Sequence, residues 1–147
     1  MERVYLDHAA TTSLAPAVLE AMTPHMTEQY GNASSVHQLG RQARVTLEEA
    51  RERIAECIGA EPSEIVFTSG GTEADNLALK GVLADAGEGA GLVTSAAEHE
   101  AVLRPAERLR EQGHPVTILT PEAHGAVTAA QVEAALDADT ALVSLMH

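Results

Sequence analysis

Residues 63–86 read SEIVFTSGGTEADNLALKGVLADA, and this stretch decides the fold. SEIVF is rich in β-branched and aromatic residues and predicts a short strand, whereas the part after Thr72 repeats apolar residues at helical spacing. Two adjacent glycines stand between the strand and the helix. A helix N-terminus leaves backbone N–H groups unpaired, so glycines at that point let an anion approach the backbone closely. A phosphate group is the candidate ligand.

The glycine pair also has a plain structural interpretation. With Thr72 as the N-cap and Glu73 in the first turn, the segment would be an ordinary helix N-terminus that needs no ligand. The stretch matches neither G-x-G-x-x-G nor G-x-x-x-x-G-K-[ST], the two common phosphate-binding patterns. Taken alone, these residues leave both interpretations open.

Composition indicates a globular domain and excludes some partners. The hydrophobic share of 45% is enough for a core, and an aromatic share of 2% means that small aliphatic residues must build it. The formal net charge of −13 comes from acids spread along predicted helices, which disfavours nucleic acid as a partner. The sequence has no apolar signal core and no run of membrane-spanning length. These features predict a cytoplasmic protein that does not enter a membrane.

The first part of the chain predicts two helices around a polar loop. A helix is expected over residues 17–30, and Pro24 should end or kink it because proline has no N–H to donate. GNASSVHQLG, residues 31–40, predicts a loop with a serine as helix cap. Apolar spacing then predicts a helix over residues 42–58, and Gly59 should stop it.

From residue 64 onward, strands alternate with helices, which is the pattern of an α/β sheet with helices on its faces. The predicted order is strand 64–68, helix 73–83, strand 91–96, helix 100–112, strand 115–119, helix 128–136 and strand 140–146. Such sheets bind ligands at the carboxyl ends of their strands. The glycine pair and SAAEHE, residues 95–100, both follow strands, so both are expected to line one crevice.

The final apolar segment and the single cysteine each carry an expectation. ALVSLM, residues 141–146, is almost continuously apolar and predicts a strand buried on both faces. No turn, cap or covering helix follows it, so we expect a domain that is incomplete at its C-terminus. Cys57 excludes an intramolecular disulfide and stands near the end of a predicted helix. A small buried hydrophobe is the commoner role for such a thiol, and a reactive nucleophile is the rarer one.

A family resemblance rests on five blocks in order: YLDHAATT, YGNASSVHQLG, FTSGGTEADNLALKG, EHEAVL and ALVSLMH. With these blocks the chain resembles the N-terminal part of the cysteine desulfurases of the NifS/IscS type. These are pyridoxal 5′-phosphate (PLP) enzymes with the class V aminotransferase-like fold. The resemblance implies that residues 1–147 form an N-terminal segment and an incomplete PLP-binding large domain. That domain would hold a mixed, mostly parallel sheet flanked by helices and truncated at the C-terminus.

The resemblance also assigns site residues. It implies that Gly71 and Thr72 hold the cofactor phosphate through backbone N–H groups and the threonine hydroxyl. His99 matches the histidine that lies against the cofactor ring and assists proton transfer, which suits a flat imidazole that titrates near neutrality. His99 could instead cap a helix, or bind a metal with Glu98 and Glu100, although adjacent side chains on a helix diverge.

Further segments resemble the surroundings of the family's active site. HAATT, residues 8–12, resembles a segment near the substrate pocket, and GNASSVH, residues 31–37, resembles a loop at the dimer interface. The implied partners are L-cysteine, a sulfur-acceptor protein, and either a second copy in a homodimer or a complementing C-terminal half.

The chain lacks two groups that the family's chemistry needs. Lys80, the only lysine, lies about 12 Å along the helix from the phosphate turn at a rise of about 1.5 Å per residue. It is expected to be solvated and to point away from the cofactor ring, so it does not match the lysine that holds PLP covalently. Cys57 does not match the cysteine that takes the sulfur. The chain alone is therefore expected to be inactive.

Three interpretations follow. The first is a fragment of a cysteine desulfurase, whose parent reaction removes sulfur from L-cysteine. That reaction gives L-alanine and an enzyme persulfide for iron–sulfur cluster assembly or thio-modification. The second is a selenocysteine lyase or another class V aminotransferase-like enzyme. The third is a non-catalytic remnant that dimerises or binds a partner. We favour the first.

Overall fold

The computed structural model describes residues 4–146. They form two compact units, the first ending at Val66 and the second beginning at Phe67. The first unit is helical and the second is α/β. His147, the last residue of the ALVSLMH block, lies outside the described residues.

The first unit contains α1 (Pro16–Thr27), α2 (Gln38–Ile58) and a short 3₁₀ helix (Pro62–Glu64). Of the two outcomes predicted for Pro24, an end to the first helix is wrong, because α1 continues through it. Only the last turn lies beyond Pro24, and the Pro24 carbonyl still accepts the N–H of Glu28 at 2.9 Å. A single missing N–H donor this close to the end does not stop the helix.

α2 begins earlier than predicted and has a different cap. It starts at Gln38, and the cap is His37 instead of a serine, with the His37 Nδ1 accepting the N–H of Gly40 at 3.3 Å. At the other end Gly59 stops the helix as predicted. Its φ of 69° and ψ of 31° are left-handed values that glycine adopts without a Cβ clash.

The first turn of α2 depends on the missing side chain of Gly40. This residue is buried, and an added Cβ would lie 2.7 Å from the Asn32 carbonyl oxygen and also against the Ser35 carbonyl. Both neighbours are backbone atoms, so the loop of residues 31–37 would have to move to admit a methyl group.

We expect Gly40→Ala to destabilise the first unit by about 1–3 kcal/mol, the usual range for overpacking. The control is Gly81→Ala in the second unit, where an added Cβ meets no heavy atom within 4 Å. Alanine inside that helix should raise stability by about 0.5–1 kcal/mol. Urea unfolding followed by circular dichroism measures both changes, and a Gly40→Ala variant as stable as the unaltered chain would contradict the expectation.

Cys57 is exposed, so the prediction that its thiol is buried is wrong. Among the described residues of α2, only Gly40 and Ala55 are buried. The apolar spacing of α2 predicted the helix correctly, but it did not predict how little of its surface is covered.

The second unit contains α3 (Gly71–Ala86), β1 (Gly91–Ser95), α4 (Glu100–Glu111), β2 (Val116–Leu119), α5 (Ala129–Ala135) and β3 (Thr140–Val143). The strands form one parallel sheet in the order β2-β1-β3. Leu92 in the central strand pairs with Val116 on one side and with Leu142 on the other. The predicted α/β class, with a parallel sheet flanked by helices, is confirmed.

The core of the second unit lies between the sheet and the two longer helices. Every residue of β1 is buried, as expected for the middle strand of a parallel sheet. The apolar cluster joins α3, β1 and α4 and contains Leu79, Leu83, Ala90, Leu92, Val102, Ala106 and Leu109. This packing fixes the positions of α3 and α4 on one face of the sheet.

Two predicted strands differ from the structure. Residues 64–68 form no strand in the structure, and Val66 and Phe67 are 63% and 43% exposed. β3 ends at Val143 and alternates half-buried with exposed residues, so the prediction of a strand buried on both faces is wrong. The reason is its place at the edge of the described sheet. No helix among residues 4–146 is long and apolar enough to cross a membrane.

Candidate functional site

The N-terminus of α3 presents free backbone donors. Its N-cap, Gly70, provides no side-chain hydrogen bond, and the first N–H within the helix ladder is that of Ala74, which donates to the Gly70 carbonyl at 3.1 Å. The N–H groups of the three residues between them, Gly71, Thr72 and Glu73, lie outside the ladder. An added Cβ at Gly70 or Gly71 would meet no heavy atom within 4 Å, so the backbone is open to an approaching group.

Thr72 is the second residue of the helix, so its predicted alternative role as the N-cap is wrong. Glu73 instead braces the preceding loop, because its carboxylate accepts the Ser69 hydroxyl at 2.6 Å and the Ser69 N–H at 2.7 Å. The hydrogen bond from the Ser69 hydroxyl is the main reason that the pKa of Glu73 lies below the ordinary 4.5. The Thr72 hydroxyl makes no helix-capping hydrogen bond in the described part of the chain.

His99 begins α4. It is the N-cap of that helix, and its Nδ1 accepts the N–H of Ala101 at 3.1 Å. The helix-capping interpretation of His99 is therefore confirmed. A backbone N–H can only donate, so Nδ1 must be the unprotonated ring nitrogen and the proton of the neutral ring lies on Nε2. Capping thus fixes the tautomer and leaves Nε2–H for another partner.

Thr72 and His99 line the same cavity, as predicted for a shared crevice. The cavity has a volume of about 450 Å³ and lies between the first three turns of α3 and the first two turns of α4. Gly71 precedes Thr72 at the start of α3, but no strand precedes it directly. His99 follows the carboxyl end of β1, where parallel sheets place their ligands.

Asn76 is a site residue that the sequence analysis missed. Its Nδ2 donates to the Thr72 carbonyl at 2.8 Å and to the Ala101 carbonyl at 3.5 Å. It therefore joins the first turns of the two helices across the cavity that it lines. Its position one helical turn after Thr72 was the only signal in the sequence.

Lys80 and Arg104 lie on opposite walls of this cavity. Lys80 is exposed, as predicted, but it does not point away from the site. Thr72, Asn76 and Lys80 are spaced by four residues, so they share one side of α3. Arg104 forms ion pairs with Glu100 at 2.6 Å and with Glu107 at 3.1 Å. Its guanidinium charge is therefore already paired on the surface of α4.

Metal binding by His99 finds no support in the described structure. Within residues 4–146, no three His, Cys, Asp or Glu side chains stand close enough to hold an ion.

Comparison with known proteins gives the family. Residues 4–147 match Aminotransferase class-V. The chain belongs to the class V aminotransferase family. It is 49% identical to the cysteine desulfurase IscS of Dictyoglomus turgidum, over 98% of this chain and 37% of that protein. It is also 50% identical to the cysteine desulfurase IscS of Anaeromyxobacter dehalogenans, over 98% of this chain and 36% of that protein.

Solved structures agree with this assignment. A NifS-like protein superposes with a TM-score of 0.91 at 39% identity, over 98% of this chain and 40% of that one. SspA in complex with cysteine gives a TM-score of 0.87 at 42% identity, over 96% of this chain and 41% of that one. The class V aminotransferase chain therefore spans about two-fifths of the length of the relatives it matches. This agrees with the predicted correspondence to the N-terminal part of a cysteine desulfurase.

Proposed function

We propose that this class V aminotransferase chain forms the phosphate-binding and histidine-bearing part of a cysteine desulfurase. The parent reaction would move the sulfur of L-cysteine to an enzyme cysteine, leaving L-alanine and a persulfide. The observation that carries this proposal is the placement of Thr72 and His99 in one cavity at the first turns of two helices. Near 50% identity to cysteine desulfurases over almost the whole chain supports it.

The residues at the start of α3 fit the phosphate of PLP. The N–H groups of Gly71 and Thr72 lie outside the helix ladder, no side chain covers the glycine pair, and the helix dipole favours an anion there. When bound, PLP supplies an electron-withdrawing ring that stabilises negative charge on the substrate carbon. Gly71 and Thr72 would hold its phosphate, and His99 would lie beside its ring.

His99 would hold a proton at Nε2. Its Nδ1 is occupied by the Ala101 N–H, so Nε2 is the ring nitrogen available to the cavity. The α4 cap also limits rotation of the ring, which positions the proton for transfer instead of leaving it to sample many directions.

The family's remaining attributes belong to the same proposal. L-cysteine is the proposed substrate, and a sulfur-acceptor protein is the proposed recipient. A homodimer in the cytoplasm is the proposed working form, as the resemblance implied.

Binding of pyridoxamine 5′-phosphate tests the phosphate site. This analogue has no aldehyde, so it cannot be captured covalently by the exposed Lys80. We expect the chain to bind it more tightly than pyridoxamine, which lacks the phosphate. Thr72→Val should weaken binding about tenfold or more, because a hydrogen bond to a charged group contributes about 1.5–3 kcal/mol. Isothermal titration calorimetry measures both differences.

The matched control is Thr117→Val, the same substitution at an exposed position of β2. It should leave the affinity for pyridoxamine 5′-phosphate unchanged. Equal affinities for the phosphorylated and unphosphorylated compounds, or equal losses in the two valine variants, would contradict the proposed phosphate site.

A further inference from the structure

We propose that Asn76 is a positioning residue that links the first turn of α3 to the histidine cap of α4. Through this link it holds His99 with its ring proton on Nε2. The inference deepens the proposed function, because it identifies the residue that keeps the proposed proton-carrying atom of His99 in place.

A continuous set of hydrogen bonds carries the inference. The Asn76 Nδ2 donates to the carbonyl oxygens of Thr72 and Ala101. Ala101 in turn donates its N–H to the Nδ1 of His99. Ala101 therefore connects the two residues, because its carbonyl oxygen accepts from Asn76 and its N–H donates to His99.

The chemistry of this link requires an amide side chain. The NH₂ group of asparagine has two hydrogens, so one nitrogen can serve two carbonyl oxygens at once. Aspartate has the same shape but no donor when ionised, and leucine has a similar volume but no polar atom. Neither can bridge Thr72 and Ala101.

Apolar packing covers the first turn of α4, where Val102 belongs to the apolar cluster and Ala101 is also buried, but it does not cover the first turn of α3. On α3 the members of the apolar cluster are Leu79 and Leu83, which lie beyond its first turn. The first turn itself is largely exposed, including Thr72. The bridge through Asn76 is therefore the contact that connects this turn directly to Ala101.

The orientation of Ala101 determines what Nδ1 of His99 can do. While the Ala101 N–H points at Nδ1, that nitrogen accepts a hydrogen bond and cannot carry the proton of the neutral ring. Without the Asn76 bond the Ala101 carbonyl loses its hydrogen bond to α3, although Val102 still packs in the apolar cluster. The Ala101 N–H is then held less firmly on Nδ1, which can bind the proton itself. Both neutral tautomers should then be populated.

Solid-state NMR of chain labelled with ¹⁵N-histidine tests the inference, because its signals do not depend on the oligomeric state. The His99 signals are those lost in His99→Gln. Spectra are recorded at alkaline pH, and the chemical shifts of the two ring nitrogens report the tautomer. We expect the unaltered chain to show protonated Nε2 only. Asn76→Leu and Asn76→Asp should each add the Nδ1-protonated form.

The matched control is Asp85→Leu, an exposed position on α3 outside the cavity, which should leave the His99 signals unchanged. If Asn76→Leu loses its helical circular dichroism, the test of the inference rests on Asn76→Asp, because aspartate keeps the size and polarity of the side chain. Folded variants with protonated Nε2 alone would overturn the inference, as would an unaltered chain with protonated Nδ1. Unfolding of both variants would assign Asn76 to folding and would also overturn it.

The same samples separate this inference from the proposed function. Pyridoxamine 5′-phosphate is titrated into the unaltered chain in parallel. A tautomer change in the Asn76 variants without phosphate-dependent binding would overturn the proposed function and support the link. Phosphate-dependent binding without a tautomer change in the Asn76 variants would support the proposed function and overturn the link.

Discussion

Incubated with PLP and L-cysteine, the 147-residue chain alone will form no alanine and no sulfide above the rate without protein. Its only lysine, Lys80, is an exposed residue in the third turn of α3. Its only cysteine, Cys57, is exposed near the end of α2 in the first unit. The family's reaction needs a lysine that holds the cofactor covalently and a cysteine that takes the sulfur. Enzymes accelerate reactions at least about 10⁶-fold, so the loss should be complete within detection.

Assays of alanine by chromatography and of sulfide by colorimetry measure this result, with a full-length cysteine desulfurase as the positive control. PLP also reacts slowly with free amines, so Lys80→Ala is assayed beside the unaltered chain. Turnover that disappears in Lys80→Ala would show that this lysine does serve the cofactor. Lys80 lies on the wall of the cavity that Thr72 and His99 line. The comparison with Lys80→Ala is therefore the most direct test of the prediction.

The parts of the fold that sequence predicts well are those with strong local signals. Helical spacing and the glycine stop gave α2 and its end at Gly59, and the apolar run of residues 91–95 gave the central strand. The segment 64–68 has an equally strong strand pattern but forms no strand. Whether such a segment becomes a strand depends on its tertiary context, and local propensity contains no information about that context.

The same limit applies to the site. The predicted start of α3 after the glycine pair and the position of His99 after a strand placed Thr72 and His99 in a shared cavity, although the glycines do not line it and no strand precedes them. The bond from Asn76 to Ala101 joins two helices across 25 positions of sequence, and no local pattern encodes it. The cap formed by His99 was only an alternative in the sequence, since histidine is not among the preferred capping residues.

We expect the purified chain to self-associate through the free edge of β3. The strand is at the edge of the described sheet, and Val143, Leu145 and Met146 are 39%, 40% and 58% exposed. The Ser144 N–H donates to the Val93 carbonyl at 2.9 Å, so the backbone of Val143 faces away from β1 and is open to another strand. Full burial of a large aliphatic side chain contributes about 1.5–3 kcal/mol, which is large beside a folding stability of about 5–15 kcal/mol. Sedimentation velocity should therefore give species larger than a monomer.

Val143→Lys should shift the chain toward the monomer, because a charge on an edge strand opposes pairing with another strand. The matched control is Val82→Lys, which makes the same change at a residue that is 38% exposed, close to Val143, but lies on α3. A monodisperse monomer of the unaltered chain, with a sharp cooperative thermal transition, would contradict self-association. Equal dissociation by both lysine variants would show that general surface charge, and not the β3 edge, controls the assembly.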